Sequence, residues 1–156
     1  MIVATTFFNH PYIKGEIEFR EKGSKVVIKG ILKSSKFKNS THGIHIHEAG
    51  DLSDGCVGAC GHFNPYGKKH GGPGSKERHV GDLGNIRFDY KGVAKFMMED
   101  GLVKLRGTKA NVIGRSLVIH EDPDDLGMGG RSDSLKTGHA GKRITCAVIG
   151  YSKKCA

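Results

Sequence analysis

Apolar and polar residues alternate in short runs along most of this chain, and that period of two commits it to half-buried strands rather than helices. Ile13, Gly15, Ile17 and Phe19 alternate with Lys14, Glu16 and Glu18. Comparable runs predict strands over 3–8, 13–19, 25–32, 43–47, 85–90, 93–98, 116–120 and 144–149. They are separated by glycine-rich turns, and glycine accounts for 24 of the 156 residues. No helical period competes with them. The pattern therefore implies an all-β antiparallel sandwich or barrel. The length suits a single domain over 1–156 with a core of its own.

Two stretches break the rhythm. Residues 48–84 and 121–142 are rich in Gly, Asp and Ser and carry no strand pattern. A compact domain rarely holds structureless loops beyond about 15 residues. With few large apolar side chains to pack, such loops need another organiser, and metal ions or a disulfide are the natural ones.

The charge balance is +9, with 25 Lys and Arg against 16 Asp and Glu. The basic residues are scattered, and the tightest groups are the pairs Lys68-Lys69, Lys142-Arg143 and Lys153-Lys154. With no long basic run and no aromatic-rich RNA-reading motif, nucleic acid is not the expected partner. A general attraction for small anions is. No apolar stretch is long enough to cross a bilayer, and 1–8 lacks the charged and apolar parts of a secretory leader. The expectation is a soluble, cytoplasmic protein with no membrane partner.

Nine histidines carry the chemistry. His45 and His47 stand two apart on a predicted strand, so both rings leave one face while Ile44 and Ile46 point the other way. His120 ends another strand, and a third imidazole beside those two would suit copper. The first long loop carries His62, His70, His79 and Asp82, a three-imidazole, one-carboxylate set suited to structural zinc. Gly71-Gly72 and Gly81 supply the tight turns among them. A set of Cys56, Cys60 and His62 is a weaker zinc candidate because its spacing is unconventional and no second pair matches it. His10 and His42 are expected to be ordinary surface or hydrogen-bonded histidines.

A family resemblance runs in order over nearly the whole chain. The blocks Gly43-Ile44-His45-Ile46-His47-Glu48, Gly61-His62-Phe63-Asn64-Pro65, Lys69-His70-Gly71-Gly72-Pro73, Arg78-His79-Val80-Gly81-Asp82-Leu83-Gly84 and Val118-Ile119-His120-Glu121 resemble the metal-site segments of copper/zinc superoxide dismutase. Asp124-Asp125-Leu126-Gly127 and Gly141-Lys142-Arg143-Ile144-Thr145-Cys146 resemble it too. The resemblance implies an eight-stranded antiparallel Greek-key β-barrel, a flattened sandwich with two long functional loops. It implies copper on His45, His47, His62 and His120, and zinc on His62, His70, His79 and Asp82, so that His62 bridges both metals. Asp124 would orient ligands of both sites.

The implied activity is conversion of superoxide to oxygen and hydrogen peroxide, with Arg143 and His62 as the catalytic residues. Thr137 and Lys136 would shape and charge the substrate channel. The resemblance also implies a disulfide between Cys56 and Cys146, whereas composition alone favours free thiols in the cytoplasm. Cys60, where the family generally has a small residue, and Cys155 would be free. A homodimer is implied through positions around Gly50, Ile113, Gly114 and Tyr151, although Ala49 stands where a large aromatic is common. A copper chaperone would load the metal. A chaperone-like or inactive relative would be expected to lack His45, His47, His120 or Arg143, and all are present.

Overall fold

The computed structural model describes residues 1–153 of the chain. The expectations for Lys154 and Cys155 lie outside them. Two antiparallel sheets face each other. One has the order β6-β3-β2-β1-β9 and the other β5-β4-β7-β8, built from β1 (Val3–Asn9), β2 (Ile13–Lys22), β3 (Lys25–Ser34), β4 (Ser40–His47), β5 (Asp82–Phe88), β6 (Val93–Asp100), β7 (Ser116–His120), β8 (Arg143–Val148) and β9 (Gly150–Tyr151). The edge strands β5 and β6 of the two sheets contact each other, as do β1 and β8.

Every expected strand is present. Several ends differ because the ladders continue past the hydrophobic alternation, whereas β5 stops at Phe88 and β8 at Val148, short of the expected 90 and 149. β2 and β3 pair as far as Lys22 and Lys25, so their hairpin closes on Gly23, which has a φ of 61° that glycine alone adopts without cost. β5 starts at Asp82, earlier than the apolar pattern indicates, because Asp82 pairs with His45. The short β9 has no sequence pattern and arises from pairing with Ala4 and Thr5 of β1.

The inward side chains of both sheets form one apolar layer, including Phe8, Ile17, Phe19, Ile28, Leu32, Ile44, Ile46, Phe88, Leu117 and Ile119. Ile44 and Ile46 anchor β4 in that layer, and so His45 and His47 leave its other face. That face is not open to water: His45 is 0% and His47 1% exposed. The two long loops cover it. Apart from a 3-10 turn at Val57–Ala59 and one helical turn, α1 (Ser134–Thr137), they contain no regular structure.

What holds the loops is specific. Cys56 is bonded to Cys146 of β8 across 90 residues. This removes Cys56 from the alternative zinc set. Ile46 N–H donates to Gly81 O, Gly81 N–H to Phe63 O, and Phe63 N–H to Ile46 O, lacing the first loop to β4. A Cβ on Gly81 would overlap the Ile46 carbonyl, so only glycine permits this approach. Buried Arg78 pairs with Asp100 of β6 at 2.7 Å and donates to the carbonyls of His79 and Val80. A buried pair of this kind costs about 3–5 kcal/mol if one partner is removed. No residue pattern marks this pair in advance.

Candidate metal centre

Four imidazoles converge where β4 and β7 pass beneath the loops. Nδ1 of His47 donates to the carbonyl of Cys60 at 2.8 Å, and Nδ1 of His120 to that of Gly141 at 3.2 Å. In neutral rings this leaves both Nε2 atoms without protons. Those two atoms face each other at 3.3 Å. Two lone pairs so placed repel unless a cation lies between them. Nε2 of His45 donates to Asp124, leaving its Nδ1 bare, and this atom and Nε2 of His62 are buried with no hydrogen-bond partner. Orphaned buried polar atoms are costly without a ligand. Burial, with His62 nearby, lowers His45 to about 3 and His47 to about 2, and burial also lowers His120 to about 4. All three are thus held as neutral imidazoles, the form that binds metal.

The second cluster shares His62. Its Nδ1 lies 3.2 Å from Nδ1 of His79 and 2.9 Å from Oδ1 of Asp82. That same oxygen is 3.1 Å from Nδ1 of His79 and 2.9 Å from Nδ1 of His70. The His70 contact is close yet lacks hydrogen-bond geometry, and the nitrogen is buried without a partner. A cation held by tetrahedral nitrogens at about 2.0–2.1 Å spaces its donors roughly 3.3 Å apart. The observed spacings fit. The other oxygen of Asp82 accepts from the N–H groups of Gly71 and His79, which fixes the carboxylate. Burial would raise Asp82, but its contacts with His62, His70 and His79 outweigh it and hold the acid ionised.

Asp124 joins the two clusters. Its Oδ2 accepts from Nε2 of His45 at 2.6 Å and its Oδ1 from Nε2 of His70 at 2.8 Å. Burial raises its pKa and these two histidines lower it, with a net fall to about 2. Asn85 clamps the backbone of Asp124 from both sides, its Nδ2 donating to the carbonyl and its Oδ1 accepting the N–H. At Gly138, with a φ of 72°, a Cβ would overlap Asp124 Oδ1. Burial would lower His70, but the flanking carboxylates of Asp124 and Asp82 outweigh it and raise its pKa to about 9.

Above His47, His62 and His120 lies a cleft that Thr137 and Arg143 also line. Arg143 is held by donating from Nη1 to the carbonyl of Cys56 at 2.7 Å, so the disulfide-bonded turn positions it. Lys136 is exposed on the same helical turn as Thr137 and does not line the cleft, whereas Asp133, unmarked by the sequence, does. The carbonyls of Cys60 and Gly141 and the side chain of Asn85 also escaped the sequence analysis, since carbonyls have no residue signature. His42 is buried between Ser40 and the carbonyl of His120, and His10 accepts from the N–H of Tyr12.

Fold and site together define a β-sandwich protein with paired, histidine-bridged metal clusters. Residues 13–149 match the family of copper/zinc superoxide dismutases, and the chain belongs to that family. It is 59% identical over 142 residues to the superoxide dismutase (Cu-Zn) of Paramecium bursaria Chlorella virus 1, covering 91% of this chain and 75% of that one. Against the superoxide dismutase (Cu-Zn) of Saccharomyces cerevisiae it is 54% identical over 114 residues, 73% of each chain. The crystal structure of the clock protein EA4 superposes with a TM-score of 0.92 at 40% identity, covering 96% of this chain and 94% of that one.

Proposed function

We propose that residues 1–156 form one superoxide dismutase domain, with copper held by His45 Nδ1 and by Nε2 of His47, His62 and His120. Zinc is held by Nδ1 of His62, His70 and His79 and by Asp82 Oδ1. The observation that carries this is His62. One of its ring nitrogens belongs to each cluster, and the copper-side nitrogen has no other partner.

Bound copper supplies a one-electron couple by which one superoxide loses its electron to become oxygen and a second gains it, with two protons, to become hydrogen peroxide; zinc is redox-inert. The chain does the rest. Arg143 presents a fixed cation at the cleft and holds the anion by charge and hydrogen bonds. His62, which lines the cleft, would hold a proton at Nε2 beside that anion and deliver it. Asp124 keeps His45 and His70 in the tautomers that aim their Nδ1 atoms inward. Thr137 narrows the cleft, and exposed Lys136 adds positive charge near its mouth.

Exposed Tyr151, together with exposed Val148, which lies against Gly50, supports a homodimer through the positions around Gly50, Ile113, Gly114 and Tyr151. The burial of three of the four copper-side ligands, His45, His47 and His120, supports loading by a copper chaperone. The decisive assay compares superoxide decay with copper- and zinc-loaded protein and with the metal-free form. Catalysis is expected only from the former, and equal rates would refute the proposal.

A further inference from the structure

Basic residues that are scattered in the sequence are gathered by the fold. Lys14 of β2 stands directly opposite Lys33 of β3, and Lys95 of β6 sits one non-neighbouring pair along from Lys33, as its diagonal neighbour. Three loops meet at this end of the five-stranded sheet. Ser35 N–H donates to the Tyr12 carbonyl and Ser35 Oγ to that of Pro11, while Ser34 N–H donates to Gly92 O at 2.7 Å. Lys36, Lys38 and Lys91 ride on those loops. All of these lysines are exposed, and none makes an ion pair among the described residues.

The other end of the same sheet is built differently. There Lys22 meets Glu99 at 2.8 Å, Lys25 meets it at 4.0 Å, and Arg106 meets Glu21 at 2.7 Å. One end neutralises its cations and the other concentrates them, although like charges directly opposite each other destabilise a sheet. Carboxylates lie nearby, Glu16 as another diagonal neighbour of Lys33 and Asp89 in the turn with Lys91, but Glu16 accepts from Thr5 Oγ1 and Asp89 from backbone N–H groups, and the lysines have aromatic neighbours. Lys36 Nζ lies 4.5 Å from the centre of the Tyr12 ring and Lys91 Nζ 5.6 Å from that of Tyr90, and both tyrosines are exposed.

We propose that this lysine end is a docking surface for an anionic lipid bilayer. Lys14, Lys33, Lys36, Lys38, Lys91 and Lys95 engage headgroup phosphates and carboxylates, and Tyr12 and Tyr90 sit at headgroup depth. The contact is peripheral and involves no membrane-crossing helix. Charge complementarity favours an anionic bilayer: six lysines without ion pairs among the described residues spread over the sheet end and its three loops, a broad surface that matches a plane of headgroups, and exposed Tyr12 and Tyr90 suit headgroup depth. None of these residues lines the cleft at Arg143, so docking and catalysis are separable.

The test is co-sedimentation of the metal-loaded protein with vesicles of phosphatidylcholine alone or with added phosphatidylserine, at low ionic strength and at about 0.15 M, where screening acts over about 8 Å. Binding should need phosphatidylserine and weaken with salt. The K33E/K36E/K91E variant should bind at least about tenfold less, while K68E/K76E/K109E, with the same change in net charge, should stay within about twofold of the parent. Retained metal content reports folding, and if the first variant does not fold, K33Q/K36Q/K91Q replaces it with the same direction expected. Equal binding to both vesicle types, equal loss in both variants, or lysine-dependent capture of a single-stranded oligonucleotide without vesicle binding would each overturn the proposal.

Discussion

Asp124 Oδ2 lies 2.6 Å from Nε2 of His45, and both side chains are wholly shielded from solvent. Because its other oxygen engages His70, one carboxylate sets the ring orientation at both clusters. Asp124→Asn should therefore weaken both metals, by about 10–100-fold, since an amide offers one acceptor and turns donors toward a ring N–H. Competition with chelators of known affinity measures this, and unchanged constants for both metals would remove Asp124 from the role.

Removing ligands should separate the clusters. His120 touches only the copper-side set and Asp82 only the zinc-side set. His120→Ala should lose copper and dismutase activity while retaining zinc, and Asp82→Ala should lose zinc first. Elemental analysis of the purified variants decides it. Zinc loss with copper kept in His120→Ala would contradict the assignment.

The histidine spacing made much of this legible. His45 and His47 share a face because strands have a period of two, and the loop set came with its turn glycines. The organising contacts were hidden. Arg78 and Asp100 are ordinary surface residue types, the Cys60 and Gly141 carbonyls belong to the backbone, and the Asn85 clamp depends on where β5 passes Asp124. The lysine end was hidden for another reason. Scatter along a chain says nothing of proximity once strand register brings Lys14, Lys33 and Lys95 together.

Cys60 has φ 65° and ψ −152°, a region in which a side chain is strained by about 1–3 kcal/mol. Glycine removes that strain but gives back roughly 0.4–1 kcal/mol through the freer unfolded chain. Cys60→Gly should raise the apparent Tm, corresponding to a net gain of about 1 kcal/mol, and the His47 hydrogen bond, made to the carbonyl, should survive. In the parent, alkylation without reductant should label exposed Cys60 and leave Cys56 and Cys146 protected. A lower Tm for the variant would show that the thiol contributes packing.

Glu21 provides a pH test away from the metals. Its two oxygens pair with Nε and Nη2 of Arg106 at 2.7 and 2.8 Å, and one also accepts the Ile2 N–H. These contacts lower its pKa from 4.5 to about 2. A depressed carboxylate stabilises the fold fully above the unfolded value and loses that contribution as pH falls from about 4.5 toward 2. With Arg106 largely exposed, the contribution is about 0.2–1 kcal/mol. Denaturant titrations should find Glu21→Gln less stable than the parent by that amount at neutral pH, with the gap closing in acid. A gap independent of pH would assign the effect to packing instead.

Arg143 couples the net charge of +9 to the proposed reaction. Superoxide is a small anion, and a positive cleft raises its encounter rate. Salt screens that field over about 10 Å at 0.1 M, so turnover should fall as ionic strength rises. Arg143→Ala should slow turnover and flatten the salt dependence together, because the fixed guanidinium is both the local charge and the anion's hydrogen-bond donor. Replacing exposed Lys29 and Lys95, which stand on the five-stranded sheet and not on the sheet that carries the cleft, should change the rate only at low salt, where long-range fields act, and leave it unchanged when they are screened. Full activity with an unaltered salt slope in Arg143→Ala would mean that the guanidinium, fixed by its bond to the Cys56 carbonyl, serves only to hold the disulfide turn against β8.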